Sequence, residues 1–363
     1  MKRIAILCLR IAMQCFYAIC KLFPTRQKVV MISRELDTDP LDFALLRAEI
    51  ERRNTGVRVV SLCKTVPHGI KLVGYAWYML RCMAHMATAR ACVVDTYCLP
   101  VSLLTHKKSL RIVQVWHALG AIKKFGYQSL GLAEGRDAKT AEWLRMHQGY
   151  TRMFAPSNAT AAFYAEAFGI PRDTIEVRGM PRIDWLLRDH SDIRERFFAE
   201  HPTLGDKPIL LYVPTFRKDK PTAHDQLIAR VDHEQYHLIV SAHPISTESV
   251  DPRFKVKGYT STELLTVADA VITDYSAIAF EAALLRKKLY FFLYDIEEYI
   301  GNRGLNIDLL REMPHLSATD IDGLIETIGR DYDAAERDAF CAKYIETADT
   351  DNTARIVDYL LGE

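Results

Sequence analysis

The sequence predicts an α/β protein built from two doubly wound parallel sheets, and three observations carry that prediction. Short apolar stretches rich in Val, Ile and Leu alternate with longer amphipathic ones, the order that βαβ units require. The length, 363 residues, suits two domains of roughly 150 residues each. The polar residues of chemical interest fall repeatedly just after an apolar stretch, where open parallel sheets place their ligands.

The first element is "IAILCLRIAMQCFYAICKLF", residues 4–23. It is long enough to span a bilayer, but Arg3, Arg10, Gln14 and Lys21 fall within an arc of about 40° on a helical wheel. A narrow basic stripe on an apolar cylinder suits a helix lying in a membrane interface with its charges toward anionic headgroups. Residues 1–24 are therefore expected as an amphipathic membrane-associating helix, the alternatives being a true span and a helix packed on its own domain. A second candidate, "GIKLVGYAWYMLRCMAHMATAR", residues 69–90, carries Lys71 and Arg81 as headgroup contacts. An ordinary surface helix is its alternative.

After Pro24, "KVVMISR" reads as a buried strand, "DPLDFALLRAEIERRN" as a helix and "VRVVSLC" as the next strand. "ARACVVDTY", "LRIVQVWHA" and the stretch through "TRMFAPSNATAAFYAEAFGI" continue the alternation, with Ser157 or Asn158 capping a helix. A second run follows "GMPRIDWLL": strands "PILLYVPTFR", "YHLIVSAHP", "AVIT" and "LYFFLYD", with Thr260 and Glu263 spaced as a capping box. The expected boundaries are 25–178 for a first domain with a basic membrane-facing surface, 179–345 for a second, and 346–363 for a C-terminal helix.

Charge divides with the domains. Residues 1–133 hold 20 Lys/Arg against 7 Asp/Glu, no acid precedes Glu35, and the whole chain carries only +1. A basic first half suits an anionic surface or substrate. Its basic residues are interleaved with aliphatic runs and not with exposed stacking aromatics, which disfavours nucleic acid. The eight cysteines form no C-x-x-C pair, which argues against a zinc knuckle or disulfide framework and fits a reducing cytoplasm. Neither G-x-G-x-x-G nor a P-loop is present, so dinucleotide and P-loop chemistry are disfavoured. The acidic pairs at 37/39, 320/322, 331/333 and 349/351 are assigned no metal, although a divalent cation is left open.

Four strand ends hold the candidate chemistry. "VITDYSAIAF" presents Thr273, Asp274, Tyr275 and Ser276 where a strand enters a helix, and a Ser or Asp cap with first-turn N–H groups could hold a pyrophosphate. "VPTFR" adds Thr215 and Arg217, a guanidinium suited to bidentate phosphate contact or, more simply, to an ion pair. "SAHP" places His243 at a strand end. "QVWHALGAIKKFG" places Trp116 and His117 after a strand, where an imidazole can act as a general base, with Lys123 and Lys124 able to attract an anionic acceptor.

"QVWHALGAIKKFG", "GMPRIDWL", "LYVPTFR", "SAHP", "VITDYSAIAFEAALLRKKLYFFLYDIEEY" and "NRGLNID" occur in this order across residues 114–308. Together they resemble the CDP-glycerol glycerophosphotransferase family of teichoic acid and capsule synthesis. The resemblance implies a GT-B-like architecture of two Rossmann-like domains and a peripheral enzyme on the cytoplasmic face of the cell membrane. It also implies CDP-glycerol or another CDP-alditol as donor and a polyprenyl-diphosphate-linked saccharide as acceptor. By the same resemblance, His117 and His243 are catalytic. It places Arg217, Asp274, Tyr275, Ser276 and Arg303 at the donor, where the strand-end pattern adds Thr215 and Thr273, and that same pattern sets Trp116, Lys123 and Lys124 at the acceptor. The family's Trp-His-Gly-Thr is Trp116-His117-Ala118-Leu119 here, and its second serine after the tyrosine is Ala277. The expected activity is transfer of glycerol phosphate to an acceptor hydroxyl with release of CMP. Alternatives are ribitol phosphate from CDP-ribitol, sugar transfer from a nucleotide sugar, and a non-catalytic membrane-docked scaffold.

Overall fold

A computed structural model describes residues 2–67, 72–217, 222–242 and 249–362, without the side chains of Leu72 and Val73. The chain divides into two compact units. One comprises Met1–His117, Phe125–Trp185 and Thr347–Glu363, and the other Ala118–Lys124 and Leu186–Glu346. The expected boundaries thus shift in three places: 179–185 and the C-terminal helix belong to the first unit, and seven residues after His117 belong to the second.

The first unit contains strands β1 (Lys28–Ser33), β2 (Arg58–Cys63), β3 (Ala91–Val94), β4 (Arg111–Gln114), β5 (Arg152–Ala155) and β6 (Ile175–Val177). They form one parallel sheet in the order β2-β1-β3-β4-β5-β6. All six residues of β1 are buried, as a central strand covered on both faces requires. Val30 and Ile32 face a core completed by Tyr17, Tyr78, Cys82 and Met86, from the helices α1 (Lys2–Cys20) and α3 (Leu72–Ala87). Val29 and Met31 face the opposite core. There, α2 (Leu41–Arg52) supplies Phe43, Leu46 and Ile50, and the C-terminal helix Asn352–Leu361 supplies Ile356, Val357 and Leu360.

"GMPRIDWL" ties distant segments of this unit together. Gly179 has φ +83°, and a Cβ there would stand 1.5 Å from Asn352 Oδ1, so only glycine fits. Arg182 donates through Nε to buried Asp42 at 3.0 Å. Asp184 accepts from the Asn352 amide at 3.1 Å and the Thr353 amide at 2.7 Å, satisfying first-turn donors of the C-terminal helix.

Helix α1 corrects one expectation. Lys21 Nζ donates to the Thr105 carbonyl at 2.8 Å, Gln14 Oε1 accepts from the Thr105 amide at 2.9 Å, and Tyr17 Oη lies 2.9 Å from His106 Nδ1. Part of the stripe, Gln14 and Lys21, therefore seats the helix on its own unit. The opposite side presents Ile4, Leu7, Ile11 and Ile19, followed by Leu22 at 83% exposure and Phe23 at 57%. Arg3 and Arg81 are exposed and Arg10 is half-buried. Lys71 lies outside the described residues. By length and composition, α1 could cross a membrane.

The second unit contains β7 (Ile209–Val213), β8 (His237–Val240), β9 (Ala270–Thr273), β10 (Lys288–Phe292) and β11 (Ser317–Ala318), parallel in the order β11-β10-β9-β7-β8. Each sheet has a point where consecutive connections leave in opposite directions, between β1 and β3 and between β7 and β9. Loops at the carboxyl ends beside such a point form the ligand crevice of open α/β sheets.

Candidate active site

In the second unit, the crevice beside β7 and β9 is organised by a buried ion-pair cluster. Asp274, fully buried after β9, accepts from the Thr215 amide at 2.9 and 3.1 Å and from Arg217 Nη2 at 3.1 Å. Arg217 also donates through Nε to Asp295 at 2.8 Å and through Nη1 to the Thr215 carbonyl at 3.0 Å. Its guanidinium packs 4.8 Å from the Tyr299 ring centre and 5.3 Å from that of Tyr275. Burial works against the charge, but Asp274 and Asp295 outweigh it and hold Arg217 protonated, with its pKa raised. This corrects the expectation of an open phosphate clamp, because every guanidinium nitrogen already donates to a protein oxygen. Arg217 and Asp274 are the frame of the loop.

Tyr275 is also part of this frame. It stacks on Tyr299 at 3.9 Å and donates to Asp295 Oδ1 at 3.1 Å. Thr273 Oγ1 donates to the Val213 carbonyl at 2.7 Å, tying β9 to β7. Ser276 is half-buried at the crevice, with its Oγ 3.4 Å from the Ile278 amide. The helix spans Ile278–Leu284 with Ala277 at its cap position and no side-chain cap, so the expected Ser or Asp cap is absent. Thr215 Oγ1 is buried without a hydrogen-bond partner. His243 lies outside the described residues.

The segment after His117 joins this same unit. The Lys124 amide donates to the Gly304 carbonyl at 3.0 Å, Arg303 Nε donates to the Lys124 carbonyl at 3.2 Å, and Lys123 bridges Leu305. Lys123 and Lys124, expected at the acceptor, thus stand with Arg303, expected at the donor. A Cβ on Gly120 would meet the Phe280 ring at 2.4 Å, which explains the glycine in Trp-His-Ala-Leu-Gly.

The first unit repeats the arrangement beside β1 and β3. Asp95 follows β3, is 2% exposed, and accepts from Ser33 Oγ at 2.7 Å. Burial pushes its carboxyl up to about 7. The Asp95 carbonyl lies 3.0 Å from His117 Nδ1. A carbonyl only accepts, so Nδ1 carries the proton, and Nε2 of the neutral ring keeps the lone pair that a general base needs. Buried Gln114 braces the turn: its Oε1 accepts from the Trp116 amide at 2.8 Å and its Nε2 donates to the Thr96 carbonyl at 3.2 Å. Trp116 takes the left-handed φ of +52°, stacks on Phe125 at 4.8 Å and lies 4.1 Å from the His117 ring. Non-glycine residues hold such a backbone where the surroundings fix it, commonly at functional sites.

Asp95 and Asp295 were not singled out in the sequence. Asp95 had a signal, because "ACVVDTY" repeats the apolar-strand-then-Asp pattern of "AVITDYS". Asp295 ends "LYFFLYD" in the same way, but its pairing with Arg217, distant in sequence, had no signal.

The chain matches the family described as CDP-glycerol:poly(glycerophosphate) glycerophosphotransferase over residues 15–362. It is 28% identical to a teichoic acid ribitol-phosphate primase from Bacillus spizizenii, covering 85% of this chain and 84% of that protein. It is 30% identical to a teichoic acid poly(ribitol-phosphate) polymerase from the same organism, over 76% of this chain and 47% of the polymerase, so it spans about half the length of that relative. The fold resembles that of the wall teichoic acid polymerase TagF, with a TM-score of 0.74 at 17% identity, covering 99% of this chain and 95% of the other. With the match running nearly end to end, the chain belongs to the CDP-glycerol:poly(glycerophosphate) glycerophosphotransferase family, among the alditol-phosphate transferases of teichoic acid synthesis.

Proposed function

We propose that the chain transfers glycerol phosphate from CDP-glycerol to a hydroxyl of a polyprenyl-diphosphate-linked acceptor, releasing CMP at the cytoplasmic face of the cell membrane. The observation that carries this reading is the orientation of His117 at the first sheet's crevice. Its Nδ1 is fixed on the Asp95 carbonyl, which assigns the proton transfer to Nε2. The acceptor oxygen attacks the glycerol-bearing phosphorus of the diphosphate and its proton passes to Nε2. The bond to the bridging oxygen breaks, and CMP leaves with that oxygen.

The second unit takes the CDP-alditol at the β7/β9 crevice. Ser276, Thr215 and Arg303 stand toward the donor, while Arg217, Asp274 and Tyr275 keep the loops in place. His243 is assigned to the phosphates, and its role can be exchanged with that of His117. Catalysis of this kind rests on positioning and electrostatics, so no covalent nucleophile is needed. The apolar outer face of α1 serves as the membrane contact, with Arg3 and Arg81 at the headgroups.

Ribitol phosphate is the second reading for the donor, favoured by the nearly full-length likeness to the ribitol-phosphate primase. Mass analysis of the lipid product made from an equal mixture of CDP-glycerol and CDP-ribitol decides between them. Addition of glycerol phosphate supports the first reading, and addition of ribitol phosphate replaces it with the second.

A further inference from the structure

Arg34 follows β1 directly, at the point where the first sheet's connections diverge. Its Nε is buried without a hydrogen-bond partner. The Arg34 guanidinium faces the Tyr97 ring at 5.6 Å, and that of Arg136 faces the same ring at 5.9 Å. Among the described residues, neither arginine has a carboxylate partner. Asp137, next to Arg136, is committed to the amide and hydroxyl of Thr140 at 2.8 and 2.7 Å, and the Asp95 carboxylate accepts from Ser33.

The Tyr97 ring is held in place, because Tyr97 Oη donates to the Leu144 carbonyl at 2.8 Å. His147 meets it edge-on at 5.5 Å and lies 6.1 Å from Trp116, whose ring in turn is 4.1 Å from His117. Burial, and then Arg136, Arg34 and His117, pull the His147 pKa down to about 3, so this imidazole is neutral at physiological pH. Two cations within 6 Å of one ring centre, one of them with a buried donor left open, are drawn together by an anion that meets both. Guanidinium forks match the oxygens of a phosphate.

We propose that Arg34 and Arg136 form an anion subsite over the Tyr97 ring that takes a phosphate of the acceptor and thereby sets its hydroxyl beside His117. This rests on the alditol-phosphate transfer proposed above. The same chemistry could come from the donor's diphosphate. The acceptor is favoured because the subsite and His117 belong to one unit, whereas the donor-side residues belong to the other.

The test uses the full chain and the variants Arg34→Gln, Arg136→Gln, both together, and Arg34→Lys. Acceptor and CDP-alditol are varied separately. The expected result is a rise in acceptor KM of about tenfold for each glutamine and more for the pair, with kcat and donor KM roughly unchanged and partial rescue by lysine. A rise in donor KM with acceptor KM unchanged overturns the assignment to the acceptor. No change in either overturns the subsite. Arg136 is exposed, so its variant reads the subsite even if Arg34→Gln fails to fold. Inorganic phosphate is titrated in parallel by calorimetry, with CMP present to occupy the donor site. Weaker binding by the double variant supports the subsite, and equal binding overturns it. Should the wild type turn over no CDP-alditol, the proposed function fails while this titration still decides the subsite.

Discussion

Asp274 is tolerable at zero exposure because Arg217 and the Thr215 amide meet it, and Arg217 is tolerable because two carboxylates and a carbonyl meet it. Removing one member strands the others in a low-dielectric site. Asp274→Ala is expected to destabilise the protein by about 3–5 kcal/mol. Arg217→Lys should not restore stability, because an ammonium cannot serve the same diverging acceptors. Denaturant unfolding checks both, and a loss below about 1 kcal/mol would contradict the frame role. Asp95 makes a prediction in pH. Its folded pKa, about 7, lies above the ordinary 3.8. Between these values the unfolded chain has released the proton and the folded chain has not, so this residue's contribution falls as pH rises through that window. Asp95→Asn is neutral throughout. Relative to wild type it should therefore gain stability between pH 4 and 7 and hold that gain above pH 7, by a few kcal/mol at most. Parallel stability curves would contradict this. His117→Ala should lower transfer by about a hundredfold or more with little change in melting temperature. Near-normal turnover would remove His117 from the chemistry. The positions of His117, Arg217 and Asp274 were legible as polar residues after apolar strands. Whether Arg217 grips a ligand or its own loop was not, because that depends on Asp295, which sequence spacing does not reveal.

The elements were legible where hydrophobic runs were long. β1, β2, β3, β7 and β9 fall within the stretches read as strands, because Val- and Ile-rich runs bounded by polar residues have few other solutions. β6 and β11, three and two residues long, are too short to show a period. Docking of the Asn352–Leu361 helix on the first unit depends on Asp184, Asn352 and Gly179 meeting, a long-range event with no local signal. Gly179→Ala should therefore cost at least about 1–3 kcal/mol, from the clash and the positive φ together. A thermal melt unchanged from wild type would contradict that packing. Helix α1 was legible as amphipathic, but not that part of its polar stripe docks on its own unit. Gln14 and Lys21 lie on the docked side because Thr105 offers an amide and a carbonyl there, which leaves the apolar arc outward. Ile4→Asp with Ile11→Asp should reduce co-sedimentation with anionic vesicles severalfold without unfolding the chain. Undiminished binding would exclude this face as the membrane contact.

Across the whole molecule, the same physical solution appears twice. Each unit has a parallel sheet, a divergence point between strands, and a buried aspartate just after the strand beside it, Asp95 in one and Asp274 in the other. The two sites differ in what surrounds those aspartates: Asp274 has a neutralising guanidinium, whereas Asp95 has the Ser33 hydroxyl on its carboxylate and a catalytic candidate on its carbonyl. In the proposed function, the basic first half attracts a lipid-linked anionic acceptor and the second unit holds the diphosphate of the donor. The most direct measurement is CMP release from CDP-glycerol, with CDP-ribitol alongside, by the purified full chain and a polyprenyl-diphosphate-linked saccharide in anionic micelles. Acceptor-dependent CMP, lost in His117→Ala, is the predicted result. Folded protein that releases no CMP from either donor, or that instead releases a nucleoside diphosphate from a nucleotide sugar, would contradict it.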